Sequence, residues 1–272
     1  SVLAVGNAYP LHFAQAFHDG LRAEGETEIV SLIRCAWAGS QRYGALVWSG
    51  DIHSSFEAMR NQLSAGLNMG MAGIPWWTTD IGGFHGGDVG DPAFHELMIR
   101  WFQWAVFTPV LRMHGHRDPI TPPAEPFRDG VAQCDTGAGN ELWSFGERVF
   151  DVLRCYAGLR ERLRPYVASL MRAAHEQGDP LMRPMFYDYP DDPRCWAVDD
   201  QYMFGPDLLV APVTAAGVGE RCVYLPEGIW LDAWTRERVE GGGHVCCSAP
   251  VHRIPVFIRD GAAVTAAFDK TR

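Results

Sequence analysis

The sequence lacks the features that would point to nucleic acid or a membrane. Lysine and arginine total 23 against 33 aspartate and glutamate residues, so the net charge is −10. The basic residues form no stripe or tail, and nucleic acid is therefore excluded as the expected partner. No stretch reaches about 18 consecutive apolar residues, so no membrane span is expected either.

Motifs for nucleotide binding, serine hydrolysis and metal binding are missing as well. There is no P-loop and no G-x-S-x-G, and GDVGDP at 87–92 matches neither pattern. Neither the histidines nor the seven cysteines have spacing typical of a metal site, so no metal or cofactor is expected.

The cysteines also bear on where the protein is found. An odd count with Cys246 and Cys247 adjacent favours reduced, mostly buried thiols, which are typical of the cytosol. This favours a cytoplasmic location. The sequence begins SVLAVGNAYP without an initiator methionine, so any targeting signal would lie upstream and the location stays open.

The first part of the chain alternates strand-like and helix-like segments. This alternation is typical of a parallel sheet in an α/β fold. About four strands precede residue 116 whereas a closed barrel needs eight, so we expect either an open sheet or part of a barrel. Strands are predicted at 28–37, 44–50, 71–79 and 109–115, and helices at 10–25, 54–70 and 92–107.

The second part of the chain has a different texture. A long helical stretch at 140–178 is expected to be interrupted at Pro165 and to end at Gly178. Short β-type runs separated by proline and glycine follow, which is typical of a β-sandwich. We therefore place a domain boundary near Gly178, with residues 1–178 as the α/β part and 179–272 as the sandwich.

Two aspartates lie where strand-like runs end, and both have tryptophans nearby. Asp51 follows VWSG, and Asp80 follows PWWTT. Indole faces stack on sugar rings while carboxylates bind hydroxyl groups, so this pairing favours sugar recognition. A carboxyl group held partly out of water beside Trp48 is also a plausible general acid. The alternatives are that Asp51 caps the helix beginning near Ser54 and that Asp80 is a turn residue.

Three further polar residues end apolar runs in the same way. These are Arg34, Arg112 and His114. Because the carboxyl ends of parallel strands meet at one edge of a sheet, we expect them to share a pocket with Asp51 and Asp80. The alternative for His114 is a histidine whose hydrogen bonds are satisfied within the core.

Taken together, these segments resemble glycoside hydrolase family 31, the α-glucosidase and α-xylosidase family. The resemblance covers nearly the whole chain and keeps the family's order of motifs. It is carried by RCAWAGSQRYGALVWSGD (34–51), GIPWWTTDIGGF (73–84), FTPVLRMHG (107–115), DDQYMFGPDLLVAPV (199–213), VYLPEGIWLDAW (223–234) and IPVFIRDGA (254–262).

The resemblance implies a fold and a set of roles. The fold would be the C-terminal half of a (β/α)8 TIM barrel followed by a β-sandwich domain. Asp51 would be the general acid/base of a retaining mechanism, and the nucleophile would lie on an earlier barrel strand, upstream of Ala4. Trp77 would lie in the pocket wall. The subsite that holds the cleaved sugar would be lined by Arg34, Trp48, Asp80, Arg112 and His114.

The expected function is therefore that of a fragment of a retaining α-glycosidase. It would hydrolyse terminal α-glucosyl or α-xylosyl residues of an oligosaccharide or small glycoside by double displacement, without a cofactor. The chain alone is expected to be inactive. The alternatives are an α-transglycosylase and an inactive carbohydrate-binding or scaffold module. A half-barrel exposes strand edges, so pairing with a second copy is expected too.

Overall fold

The computed structural model describes residues 1–269. In the first part of the chain, three parallel strands form one sheet in the order β1–β2–β3. The strands are Ser31–Ile33 (β1), Ala45–Trp48 (β2) and Trp77–Thr78 (β3). The helices of this part are Val2–Val5 (α1), Tyr9–Ala23 (α2), Phe56–Met71 (α3) and Pro92–Ala105 (α4).

The helices α3 and α4, which follow β2 and β3, begin with the caps that their sequences favour. The hydroxyl of Ser55 accepts a hydrogen bond from the N–H of Ala58 and caps α3. The carboxylate of Asp91 caps α4 in the same way, just before a proline in the first turn. Helix α3 buries one face, whereas α4 is buried on all sides from Leu97 to Ala105, with both of its tryptophans fully buried.

The strands are shorter than predicted, and one is missing. Residues 111–115 form no ladder, so the predicted strand over 109–115 is wrong. The segment still runs beside the end of β3. The hydroxyl of Thr78 donates to the carbonyl of Val110 at 2.8 Å, and the N–H of Ile81 donates to the carbonyl of Arg112 at 3.3 Å. Two bonds of this kind position the segment without making it a strand.

A small sheet and a hairpin, which the sequence pattern did not predict, follow β3. The chain here is rich in glycine and lacks the alternation of a half-buried strand. The strands are His85–Asp88 (β4), His116–Thr121 (β5), Phe127–Arg128 (β6), Val131–Ala132 (β7) and Thr136–Ala138 (β8), paired as β4–β5–β8 and β6–β7.

The long helix Glu147–Gln177 (α5) connects the two parts of the molecule. It continues through Pro165, so the predicted interruption is wrong. Burial of one face along its whole length offsets the hydrogen bond that proline removes. The helix ends at Gly178, whose φ of 82° is the left-handed conformation that glycine adopts at helix ends.

The last part of the chain consists mainly of antiparallel strands. One sheet has six strands in the order β14–β13–β16–β11–β10–β9, and a second sheet pairs β12 with β15. The elements of this last part of the chain are Met182–Arg183 (β9), Met185–Asp188 (α6), Tyr202–Phe204 (β10), Leu208–Val210 (β11), Glu220–Leu225 (β12), Ile229–Asp232 (β13), Arg238–Glu240 (β14), Gly243–Ser248 (β15) and Val256–Arg259 (β16).

Strands β10 and β11 of the six-stranded sheet are buried on both faces. Met203 and Leu209 pack with Val223 of the two-stranded sheet in one cluster, whereas Phe204 and Leu208 join the core shared with α4 and α5. This explains why the strand sequences are continuously apolar rather than alternating.

A buried arginine joins the two parts. Arg100 of α4 is 1% exposed, and its guanidinium donates to four backbone carbonyls of the sheet-rich part. Burial lowers the pKa of Arg100, and Glu96 opposes that effect. The acceptors are the carbonyl oxygens of Pro250, Arg253, Val218 and Ala249.

The N-terminal part of the chain leaves apolar surface in solvent. β1 is an edge strand, and α1 and α2 carry exposed large side chains. The expectation of a homo-oligomer is consistent with this surface and stays a prediction. The side chains concerned include Val2, Leu3, Val5, Tyr9, Phe13, Phe17 and Leu32.

The cysteines differ from the expected pattern. All seven are free, but Cys195 is the one that is buried, and five are exposed. The expectation that most thiols are buried is therefore wrong. Within residues 1–269, no three His, Cys, Asp or Glu side chains are grouped so that they could hold a metal ion. No helix in this range has the length and apolar character that a membrane crossing requires.

Candidate active site

The first part of the candidate site lies at the carboxyl ends of β1 and β2. Arg34 directly follows β1, and Asp51 follows β2 after a turn at Gly50, whose φ is 85°. Because the two strands are parallel neighbours, their ends meet, and Arg34 Nη2 donates to both carboxylate oxygens of Asp51 at 3.1 Å. The Arg34 and Asp51 side chains are 62% and 33% exposed, so this pair is open to solvent.

The second part lies at the end of β3 and is buried. Asp80 is fully buried, and its Oδ1 accepts a hydrogen bond from Arg112. Burial lowers the pKa of Arg112, and the negative charge of Asp51 opposes that effect. Arg112 remains 19% exposed, so a carboxylate inside the protein holds a guanidinium whose other side reaches the surface.

Trp48 links the two ion pairs. The guanidinium carbons of Arg34 and Arg112 lie 5.1 Å and 5.7 Å from the centre of its ring. Cations at these distances from an indole are attracted by its ring electrons. Trp48, Arg34, Asp51, Arg112 and, through Arg112, Asp80 thus form one connected group.

His114 lies within electrostatic reach of this group. Its pKa is lowered by burial and by the cations of Arg112 and Arg117, against an opposing effect of Asp51. The lowered pKa favours the neutral imidazole, which has one nitrogen to donate a hydrogen bond and one to accept. Its ring lies 5.4 Å from the ring of Phe84, which the sequence analysis did not single out.

Trp77 lies apart from these residues. It is 2% exposed and packs against Trp104 of α4, with ring centres 6.2 Å apart. A methyl group added at Gly66 of α3 would come within 2.8 Å of its ring. Trp77 therefore contacts the helices around the sheet. Its predicted place in the pocket wall gains no support from this geometry.

The sequence analysis also missed Arg117, which holds the loop after Asp80. This arginine is fully buried, and its guanidinium lies 5.0 Å from the Phe94 ring. Burial lowers its pKa to about 10. The one sequence signal is its place in HGHRDP, three residues after the candidate His114. Its acceptors are the carbonyls of Ile81 (2.8 Å), Gly86 (3.2 Å) and Gly82 (3.4 Å), with Ser54 Oγ (3.1 Å) and Asn140 Oδ1 (2.7 Å).

A half-buried arginine orients the segment that carries Arg112 and His114. Arg160 of α5 donates to the carbonyls of Val106, Thr108 and Pro109 at 2.6–2.7 Å. Burial lowers the pKa of Arg160 to about 10. The long helix therefore fixes the backbone just before the two candidate side chains.

Family models match almost the whole chain. The glycosyl hydrolases family 31 TIM-barrel domain matches residues 2–170, and the glycosyl hydrolase family 31 C-terminal domain matches residues 178–264. The predicted fold class is therefore confirmed: part of a TIM barrel followed by a sheet-rich C-terminal domain.

Curated relatives carry glycosidase names. An α-xylosidase of Saccharolobus solfataricus is 39% identical over 259 residues, which is 95% of this chain and 33% of the relative. A family 31 glucosidase of Pseudescherichia vulneris is 78% identical over 118 residues, which is 43% of this chain and 22% of the relative. The chain thus spans at most a third of the length of these relatives.

A solved structure gives a close superposition. The family 31 α-xylosidase from a soil metagenome, complexed with xylose, is 63% identical and superposes with a TM-score of 0.96. The match covers 98% of this chain and 40% of that one. The backbone, the order of the motifs and both domain matches agree, and the chain belongs to glycoside hydrolase family 31.

Proposed function

We propose that the chain supplies the acid/base side of the active site of a retaining α-glycosidase. The enzyme would remove a terminal α-glucosyl or α-xylosyl residue from an oligosaccharide or small glycoside. The observation that carries this proposal is the position of Asp51. It is a partly exposed carboxylate at a strand end, in contact with Arg34 and within the electrostatic reach of Arg112 and His114.

Asp51 is assigned the proton transfers. Its carboxyl group donates a proton to the leaving glycosidic oxygen and later accepts one from the attacking water. Arg34 donates to both oxygens of the ionised Asp51 carboxylate. When Asp51 carries the proton, Arg34 has to release the oxygen to which the proton is bound. Its 62% exposed side chain is free to move into solvent for this step.

The other candidates are assigned to the sugar. Asp80 is too deeply buried to act on a substrate, so its role is to orient Arg112 toward hydroxyl groups. Trp48 offers an indole to the ring, and neutral His114 can both donate and accept a hydrogen bond. Trp77, packed between helices, acts on this site only through the position of β3.

The second carboxylate comes from outside this chain. A retaining enzyme needs two carboxyl groups about 5–5.5 Å apart, and we expect the nucleophile in the part of the relatives that this chain does not span. The 63% identity to an α-xylosidase complexed with xylose favours a xylosyl residue over a glucosyl residue.

The test uses the full-length enzyme that contains this chain and compares leaving groups. Asp51→Asn removes the proton donor, so turnover of a natural α-xylosyl disaccharide should fall by at least about 100-fold. An aryl α-xyloside whose phenol leaves easily needs less protonation, so the first step on it should slow far less.

A matched control is available on α5. Asp151 is exposed and pairs with Arg154 at 3.1 Å, much as Asp51 pairs with Arg34. Asp151→Asn should leave both rates unchanged. If Asp51→Asn kept wild-type activity on the disaccharide, the acid/base assignment would be wrong.

A second function applies to the chain taken alone. Of the two candidate aspartates Asp51 is the exposed one, and one carboxylate cannot carry out double displacement. The isolated chain should therefore bind a sugar without turnover. Calorimetry with xylose and glucose, together with a hydrolysis assay, separates this module from an active hydrolase.

The domain boundary near Gly178 stays a prediction, which limited proteolysis of the same sample would check.

A further inference from the structure

Two cysteines face each other on the small sheet of the C-terminal domain. Cys222 of β12 is the register partner of Cys246 of β15. Their sulfur atoms lie 2.6 Å apart, and both residues are exposed. Neither residue takes part in the candidate active site.

The backbone geometry at this pair suits a covalent bond. The N–H of Ala249 donates to the carbonyl of Gly219, which makes 219/249 a hydrogen-bonded pair of the antiparallel ladder. Pair types alternate along such a ladder, so Cys222 and Cys246, three positions away, form a non-hydrogen-bonded pair. The Cα atoms of such pairs are about 4.5 Å apart, within the range of about 4.4–6.8 Å for disulfides.

The neighbouring Cys247 is not an equivalent partner. Successive strand residues point to opposite faces, and Cys247 is half-buried with its thiol donating to the carbonyl of Arg221 at 3.4 Å. The strand pairing therefore places the thiols of Cys222 and Cys246 together on one face of the sheet and the thiol of Cys247 on the other face.

We propose that Cys222 and Cys246 form a reversible disulfide site whose oxidant is a small-molecule disulfide of the glutathione type. One protein thiolate attacks a sulfur of the oxidant, which breaks the S–S bond and releases one small thiol. The other protein thiolate then attacks the mixed disulfide and releases the second small thiol. Two electrons pass from the cysteine pair to the oxidant, and the two thiol protons end on the released thiols.

The bond would tie down one layer of the domain. The chain between the two cysteines contains the hairpin β13–β14, whose first strand carries buried Trp230. The two-stranded sheet covers the apolar cluster that includes Val223, Leu225 and Trp230. A disulfide here would restrict the unfolded chain and keep this cover in place under oxidising conditions.

The experiment maps disulfides in the full chain. The reduced protein is incubated with oxidised glutathione, denatured in the presence of iodoacetamide, digested and analysed by mass spectrometry. We expect a peptide that links Cys222 to Cys246, the loss of two alkylatable thiols and reversal by dithiothreitol. Cys247→Ser should retain the link. This result would show that Cys222 is joined to Cys246 and not to its neighbour Cys247. Cys134→Ser, at another exposed cysteine, is the matched control and should also retain it.

Two outcomes would overturn the proposal. One is a separate glutathione adduct on Cys222 and on Cys246 without a link between them, and the other is a link that runs through Cys247. In Cys222→Ser we expect Cys246 to remain a mixed disulfide with glutathione, because the thiolate that would displace the glutathione is missing. Should that variant fold poorly, alkylation of the native wild-type protein before the oxidant is added provides the same test, because it should abolish the link.

Discussion

The chain segments that follow β2 and β3 both carry an aspartate paired with an arginine, but they differ in their contact with water. Asp51 and Arg34 are open to solvent, whereas Asp80 is fully buried and holds Arg112 from inside. An exposed carboxylate can exchange partners and protons during a reaction. A buried carboxylate with a fixed cation serves to position that cation. Similar residue types at neighbouring strand ends therefore suit different roles.

The largest expected effect concerns the arginine beneath the loop after β3. Arg117→Met would leave several buried acceptors without a donor, and each costs about 1–3 kcal/mol, so the loss should reach at least about 4 kcal/mol. Urea unfolding of the chain measures it. Arg117→Lys should give an intermediate loss because lysine keeps the charge but has fewer donors. Arg154→Met, which breaks an exposed ion pair on α5, is the control. Equal stability of Arg117→Met and the control would contradict the role of Arg117.

The two aspartates can be compared directly by the same substitution. Asp80→Asn breaks a buried ion pair, which costs about 3–5 kcal/mol. Asp51→Asn breaks an exposed pair and should cost less than about 1 kcal/mol. Urea midpoints of both variants at pH 7 measure the difference. Similar losses for the two variants would remove the contrast between a positioning carboxylate and a reacting one.

A smaller effect tests which way Trp77 points. Gly66→Ala places a methyl group 2.8 Å from the Trp77 ring, and overpacking of this kind costs about 1–3 kcal/mol, more than the helix gains from alanine. Gly158→Ala on α5 meets its nearest atom at 3.5 Å and should stabilise by about 0.5–1 kcal/mol. Thermal unfolding should therefore shift in opposite directions. A gain in both variants would mean that Trp77 is not held against α3.

The smallest effect concerns His114, whose pKa depends on the charges of Arg112 and Asp51. Its pKa lies below the usual 6.5 because of burial and then because of Arg112. Arg112→Gln should therefore raise this pKa, which an NMR titration of the imidazole measures. Arg154→Gln is the control and should leave the titration unchanged. A pKa that falls in Arg112→Gln would contradict the assigned electrostatics.

The same shift has a consequence for stability. Because the folded-state pKa of His114 is lower than the unfolded-state pKa, the unfolded chain binds more protons in the window below about 6.5. The contribution of His114 to the free energy of unfolding is therefore fully present above that pH, and it is lost as the pH falls through the folded-state pKa. His114→Gln should flatten this part of the pH dependence of the urea midpoint.

Much of the candidate site was predictable from the sequence because strand ends are predictable. The apolar runs before Asp51 and Asp80 mark where β2 and β3 stop, and parallel strands stop at one edge. The helix patterns over 54–70 and 92–107 agree with α3 and α4. The wrong predictions were those in which tertiary contacts outweigh a local signal, as for Pro165 inside α5.

The orientation of single side chains could not be predicted. Trp77 and Thr78 are adjacent in β3 and face opposite sides of the sheet, and a shift of one residue in register would exchange them. Local sequence likewise gives no sign that Arg117 is buried or that Arg34 is exposed. Both depend on which distant loops lie next to the guanidinium.

By itself, the sequence determined the family, the main helices and the positions of Arg34, Asp51 and Asp80 at strand ends, because periodicity and motifs are local properties of the chain. Only the tertiary structure decided which of those residues meet water. Asp51 is open and Asp80 is enclosed. The loop after Asp80 is bound by Arg117, and the segment before Arg112 is bound by Arg160; these arginines lie 36 and 52 residues from the carbonyls of Ile81 and Thr108 that they bind. Burial arises from such long-range packing, and burial is what separates a carboxylate that can exchange protons from one that holds another side chain in place.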